Sequence, residues 1–313
     1  MTAQYCVSIP ENSMRPDQWQ SRGSFHNLNG FQLFVVDEGE QDQDTILLIH
    51  GFPTASWDWH RIWPTLRQQY RLVTMDMLGF GFSDKPAAHR YAIHEQADLF
   101  EALVRELGLT RFHVLAHDYG DTVAQELLAR QNAGQGAGEW LSVCFLNGGL
   151  FPETHRALLT QKLLLSPLGP LLNKLSNKRS FDRAMSKVFG PATKPDAQEL
   201  ADYWSLVMHN NGKHIFHNLI TYMRDRRQHR ERWVAAIRDA KIPVALINGS
   251  ADPVSGAHMV ARFRELELPL TYLAELPEIG HYPQMEAADQ VADRYLEFMH
   301  QVLDAGKRPL QES

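Results

Sequence analysis

The chain has 313 residues, of which 44% are hydrophobic and 22% charged, a make-up that suits a globular protein with one large domain and room for an insertion. Its formal net charge of -6 and pI near 6.2 lack the dense basic face that counterion release requires, so no nucleic-acid partner is expected. No run reaches the ~18 uninterrupted apolar residues of a spanning helix.

Two cysteines, Cys6 and Cys144, are too few for a disulfide framework and read as free thiols. The opening MTAQYCVSIPENSMRPDQW has no basic region followed by an apolar one, which disfavours a secretory signal. A cytoplasmic setting is therefore expected.

In chain order, Asn29-Gly30 is a turn dipeptide, and Phe31 to Val36 reads as the second arm of a hairpin. Short β-rich runs follow at Thr45–His50, Arg71–Asp76, Phe112–His117 and Leu141–Leu146, with two more at Ile242–Asn248 and Leu270–Leu276. Helical spacing separates several of them, as in Ala97, Leu99, Phe100, Leu103, Val104 and Leu107. Strands apolar on both faces and separated by helices predict a mostly parallel sheet covered on both sides, an α/β fold.

From 151 to 241 the rhythm breaks. Leu158 to Leu175 and Leu200 to Arg238 have helical character, and Gly190-Pro191 and Lys194-Pro195 punctuate the region. The division expected is a first part of an α/β core over 1–150, an inserted helical cap over 151–241, and the second part of the core over 242–313. Leu163 to Leu172 reads as cap core or the apolar wall of a substrate tunnel, with docking on a membrane surface as the less favoured alternative.

The segment VLAHDYGDTVAQELL, Val114 to Leu128, passes from an apolar run through Gly120 into a helical pattern, with Asp118 at the reversal. A nucleophile elbow has this form, because its tight turn lifts one side chain above the sheet and crowds the flanking backbones. Ala116 and Gly120 meet that steric demand. A carboxylate there forms an alkyl ester with a carbon electrophile.

The fold that uses this elbow orders nucleophile, acid and histidine along the chain. Asp252 in LINGSADPV and His281 in ELPEIGHYPQME each follow a late strand, so the three can meet at the sheet's carboxyl edge. His281 is expected to activate water against the ester, and Asp252 to fix the imidazole tautomer. In His50-Gly51-Phe52-Pro53, after the first parallel strand, the Phe52 N–H and the N–H of Tyr119 are the expected oxyanion donors. Asp121 is expected to cap the helix that follows the elbow.

HGFP, DMLGFGFSDKP, HDYGD, GSADPV and IGHYPQME occur in this order over almost the whole chain, which resembles the α/β-hydrolase superfamily. Within it the resemblance is to the epoxide hydrolase and haloalkane dehalogenase branch, whose nucleophile is an aspartate. HDYGDTVAQELL, NGGLFPETHRALLTQKLL and RERWVAAI look closer still to the mesoderm-specific transcript-like α/β hydrolases. The resemblance implies an α/β-hydrolase fold with a helical cap, and a choice of leaving group.

Haloalkane dehalogenases generally hold halide with a Trp after the nucleophile and an Asn or second Trp elsewhere; here Tyr119 and Phe52 stand at those positions. Epoxide hydrolases use cap tyrosines to protonate the opening oxygen, and Tyr222 is at a position that looks equivalent to one of them. Tyr203 is the weaker candidate for the second. An epoxide hydrolase-like reaction is thus favoured, with a haloalkane dehalogenase and then a non-catalytic ligand-binding relative as alternatives.

The expected partners are a small apolar organic substrate and water, without a cofactor or metal and with membrane-surface contact unfavoured; the oligomeric state is left open. His209, His214 and His217 lack a nearby carboxylate or cysteine to complete a metal site. The run Arg224 to Arg232 reads as a solvated helix face.

Overall fold

The computed structural model describes residues 14–156 and 159–307, so Cys6 and most of the N-terminal stretch lie outside the described residues. Eight strands are formed: β1 (Ser24–Leu28), β2 (Phe31–Glu38), β3 (Thr45–Ile49), β4 (Arg71–Met75), β5 (Arg111–His117), β6 (Glu139–Leu146), β7 (Val244–Gly249) and β8 (Tyr272–Leu276). They make one sheet in the order β1-β2-β4-β3-β5-β6-β7-β8. Only β2 runs against the others, because both of its pairings are antiparallel while those from β4 through β8 are parallel.

Every residue of β3 and β7 is buried, as expected of strands covered by helices on both faces. Parallel pairing also aligns the carboxyl ends of β3, β5, β6, β7 and β8 along one edge, and Phe52, Asp118, Asp252 and His281 follow the ends of β3, β5, β7 and β8.

Between β6 and β7 the described residues contain helices and no strand. The chain breaks more often there than its apolar pattern predicts. Leu159–Leu164 and Gly169–Leu175 are separate short helices, divided at Ser166-Pro167, since proline cannot supply the next helical N–H. Asn210 and Asn211 take left-handed φ values of 48° and 60°, so Ala197–Met208 is not continuous with the helices that follow. Leu163, Leu168 and Leu171, expected as core or tunnel wall, are 41%, 59% and 56% exposed; Leu164 is the one that turns inward to the cavity.

The sequence reading also missed the helix Lys178–Val188. Its signal was present: Asn177 accepts from the Ser180 N–H while Ser180 bonds back to the Asn177 N–H, a reciprocal cap, and Phe181, Met185 and Val188 follow at helical spacing.

The helix Tyr119–Asn132 is clamped to Arg230–Arg238 by a buried carboxylate. Glu126 accepts from Arg130 Nε at 2.9 Å, Arg232 Nε at 2.8 Å and Trp233 Nε1 at 2.9 Å. Burial alone would raise its pKa, but these partners outweigh burial and hold it at about 2, below its ordinary 4.5. A folded-state pKa below the unfolded one gives stability that is complete above pH 4.5 and lost as pH falls towards 2. Because the arginines are partly solvated, the contribution is about 2 kcal/mol. Thermal melts of Glu126→Gln are expected to lose that pH-dependent portion. Melting curves that decline in parallel with the parent through this window would contradict the assignment.

Candidate active site

β5 ends at His117 and the helix begins at Tyr119, leaving Asp118 alone to make the reversal at φ 47° and ψ -104°. A non-glycine residue there is strained and is held by its surroundings. Gly120 is what permits the turn: a Cβ on it would stand 2.2 Å from the Ile49 carbonyl oxygen and 2.6 Å from that of His50. The elbow helix therefore packs directly on the end of β3, with Asp118 above the sheet edge.

Asp252 follows β7 and His281 follows β8. The His281 Nδ1–H donates to Asp252 Oδ2 at 2.7 Å, and His281 Nε2 stands 3.7 Å from Asp118 Oδ1. Asp252 is itself fixed by four donors, the Val254 and Ser255 N–H groups, the Ser255 hydroxyl and the Asn147 amide, at 2.7 to 3.1 Å. Its carboxylate cannot rotate without breaking several of these bonds. The backbone of His281 is fixed as well: its N–H donates to the Val188 carbonyl at 2.9 Å, and its carbonyl accepts from His117 Nε2 at 2.7 Å. Burial, reinforced by the charge of His281, lowers the His117 pKa to about 4 and keeps that ring neutral.

The Phe52 N–H points at Asp118 Oδ2 from 3.1 Å. The Tyr119 N–H lies in the first helical turn, where no intrahelical acceptor exists. The loop carrying Phe52 is braced from beneath: His50 Nε2 accepts from the Met77 N–H at 3.0 Å, and Asp76 accepts from the Ser56 and Phe82 N–H groups, each at 2.7 Å. The HGFP and DMLGFGF segments are thus one hydrogen-bonded unit.

Burial disfavours charge on Asp118, but hydrogen bonding and attraction from His281, with Arg226 behind, hold its carboxyl below the ordinary carboxylate range. For His281 burial likewise opposes the cation, and the two carboxylates override it and push the imidazole well above its usual pKa. The site thus favours the charged forms of both partners, an Asp118 carboxyl beside an imidazole that a second carboxylate orients. Over it lies an apolar cavity of about 150 Å³, walled by Phe52, Leu164, Phe181, Met185, Trp204 and Phe216, with Asp118 and His281 at its polar end.

Tyr222 is fully buried, its ring 6.1 Å from Phe52 and 4.9 Å from Tyr119, with Arg226 stacked at 4.5 Å. It stands behind the cavity wall and is not among the residues that line it. Tyr203 is turned away, its hydroxyl donating to Glu199 at 3.3 Å. Tyr282 does line the cavity, but its hydroxyl donates to the Phe52 carbonyl at 3.2 Å.

Two expectations need correction. Asp121 does not cap the helix: neither carboxylate oxygen has a hydrogen-bond partner among the described residues. It lies buried against Gly148, and burial followed by repulsion from Asp118 raises its pKa well above normal, which favours its neutral form. The basic run is not simply a solvated face either. Arg226 is 2% exposed; its Nε donates to Thr122 Oγ1 at 2.7 Å and its Nη2 to the Asp118 carbonyl at 3.0 Å. Its role was hidden because five cations share one short stretch, and sequence does not say which one turns inward.

An acidic side chain on a strand-to-helix elbow thus stands beside a histidine–carboxylate pair from later loops and the Phe52 N–H, on the sheet of an α/β-hydrolase fold. The family model described as the alpha/beta hydrolase fold matches residues 44–133. The chain belongs to that family, and within it groups with the mesoderm-specific transcript proteins. It is 41% identical over 306 residues to the mesoderm-specific transcript homolog protein of Bos taurus, covering 94% of this chain and 91% of the relative. It is 38% identical over 282 residues to LipZ of Mycobacterium tuberculosis, covering 90% and 97%. A loop variant of the haloalkane dehalogenase DbeA from Bradyrhizobium elkanii superposes with a TM-score of 0.77 at 21% identity, over 91% of this chain and 98% of that one, which is a likeness of fold.

No helix among the described residues is long and apolar enough to cross a membrane. Among them, too, no group of three His, Cys, Asp or Glu is placed to hold a metal ion.

Proposed function

We propose that the protein hydrolyses a small apolar carbon electrophile in two covalent steps, with epoxide opening as the favoured reaction. The observation that carries this reading is Asp118 on the elbow, ionised and facing His281, which Asp252 orients. In the first step an Asp118 oxygen attacks carbon, the carbon–oxygen bond of the epoxide breaks, and the leaving oxygen takes a proton. Tyr222 is the proposed donor; it stands behind the cavity wall, so a small adjustment of that wall must bring its hydroxyl to the substrate.

Forming the ester removes the negative charge of Asp118. That loss withdraws one of the two attractions that favour the His281 cation, so its pKa falls; its proton passes to the tyrosinate left by the first step, and the neutral ring is then the base the second step requires. Water then attacks the ester carbonyl, whose developing oxyanion lies towards the Phe52 and Tyr119 N–H groups. Cleavage returns the aspartate and releases the diol.

Halide release is the second reading, favoured by the fold likeness to DbeA and by Trp204 and Asn173 in the cavity lining. Against it, Tyr119 follows the nucleophile with its ring packed on Phe80 and Tyr222. A protein that only bound its ligand would have no use for an ordered base. The buried, unpaired Cys144 suits a cytoplasmic setting.

A single turnover in heavy-oxygen water, with enzyme in excess over an epoxide or haloalkane that it converts, tests the covalent route. The label is expected in the Asp118 carboxylate, located by peptide mass spectrometry. Label in the product alone would mean that water attacks the substrate directly, and would overturn the two-step scheme.

A further inference from the structure

Behind the elbow lies a second cleft, of about 530 Å³, that shares no lining residue with the apolar cavity. Its charged lining is cationic throughout: Arg156, Lys162, Arg226 and Arg227, joined by His155. Among the described residues, no acidic one lines it. Arg156, Lys162 and Arg227 have no carboxylate partner among the described residues, and the nearby Glu153 is already held by Arg230 and Arg262. Arg226 has Asp118 3.9 Å away, but the other three cations converge without an anion and repel one another, an arrangement that a bound anion would relieve.

Arg226 forms the inner wall. Two of its nitrogens are committed to Thr122 and to the Asp118 carbonyl, while Nη1 faces His155 Nδ1 at 3.4 Å. An independent sign is His155 Nε2, which is buried without a hydrogen-bond partner among the described residues. A buried polar nitrogen left unsatisfied at the margin of a cationic cleft marks a missing partner.

We propose that this cleft is a binding site for a phosphate or carboxylate group. Guanidinium and ammonium groups are the side chains that recognise such oxyanions, arginine through paired donors and lysine as a point charge. The helix that supplies Lys162 also exposes Leu159 and Leu163, at 72% and 41%. The oxyanion can therefore come from a soluble compound or from the headgroup of an anionic lipid whose chains meet those leucines. The site does not depend on the hydrolytic reading of Asp118.

Titration calorimetry of the full chain with inorganic phosphate at low ionic strength tests it, together with co-sedimentation on phosphatidylcholine vesicles with and without phosphatidate. Arg156, Lys162 and Arg227 are exposed, so the triple variant Arg156→Ala, Lys162→Ala, Arg227→Ala is expected to fold, and circular dichroism checks that it does. The expected result is phosphate binding by the parent that weakens about ten-fold or more in the triple variant, and by less than about two-fold in the distant control Lys241→Ala. Vesicle retention that needs phosphatidate and is lost in the triple variant, without phosphate heat, would support the site and assign its oxyanion to a lipid headgroup. Neither phosphate binding nor phosphatidate-dependent retention, or an equal loss in Lys241→Ala, would overturn the proposal.

Discussion

His281→Gln is expected to trap the Asp118 ester. The nucleophile of that variant is intact, because Asp118 is still on the elbow with Arg226 and the Phe52 N–H as partners, so attack on carbon proceeds. Water is then left without a base 3.7 Å from the ester oxygen. Hydrolysis is expected to slow by about a thousand-fold or more, so the intermediate accumulates. Intact mass spectrometry, with a compound that the parent converts, reads the result directly. A gain equal to the whole epoxide means ring opening, and a gain of the alkyl group without its halogen means displacement of halide. Asp118→Ala is the control and is expected to gain nothing. Normal turnover by His281→Gln would remove the histidine from the scheme.

Asp252→Asn is expected to separate the two steps. The amide occupies the same space and can keep part of the network from Asn147, Val254 and Ser255. Yet it no longer anchors the His281 Nδ1–H as a carboxylate or stabilises the imidazolium, and loss of such a partner costs about four orders of magnitude where the histidine is the base. The loss belongs to ester hydrolysis. Alkylation of Asp118 uses no base and is expected to change by no more than about ten-fold. Rapid-quench measurement should therefore show a burst of adduct followed by very slow turnover. A variant in which alkylation falls as far as hydrolysis would mean that Asp252 supports the site as a structural post.

Much of the architecture was legible because the local chemistry and the global fold make the same demand. The runs at Thr45–His50 and Ile242–Asn248, apolar at successive interior positions, had to become covered strands, since alternation offered them no solvated face. HDYGD could be read as an elbow because its glycine has a steric meaning that holds wherever a helix leaves a strand this abruptly, and Gly120 indeed leaves no room for a Cβ. The later positions of Asp252 and His281, each just after a strand, were enough to bring them to one edge, because parallel strands end together.

Packing decided the rest. Arg226 and Arg227 are neighbours with the same charge, but one is sealed against the elbow and the other faces solvent; the helix's rotation against Thr122 makes that choice, and composition has no record of it. Asp121 was legible as a cap, but it is buried where its pKa is raised, because Gly148 brings β6's continuation within contact distance. Tyr203 and Tyr222 carry the same hydroxyl, and only the course of the helices between β6 and β7 directs one to Glu199 and leaves the other against Tyr119. The sequence by itself determined the sheet, the elbow and the three residues that meet at its edge, because periodicity and sterics act along the chain. The cavity wall, the inward arginine and the charge state of each buried acid were settled by the tertiary structure, because burial and Coulomb attraction depend on what lies opposite in space.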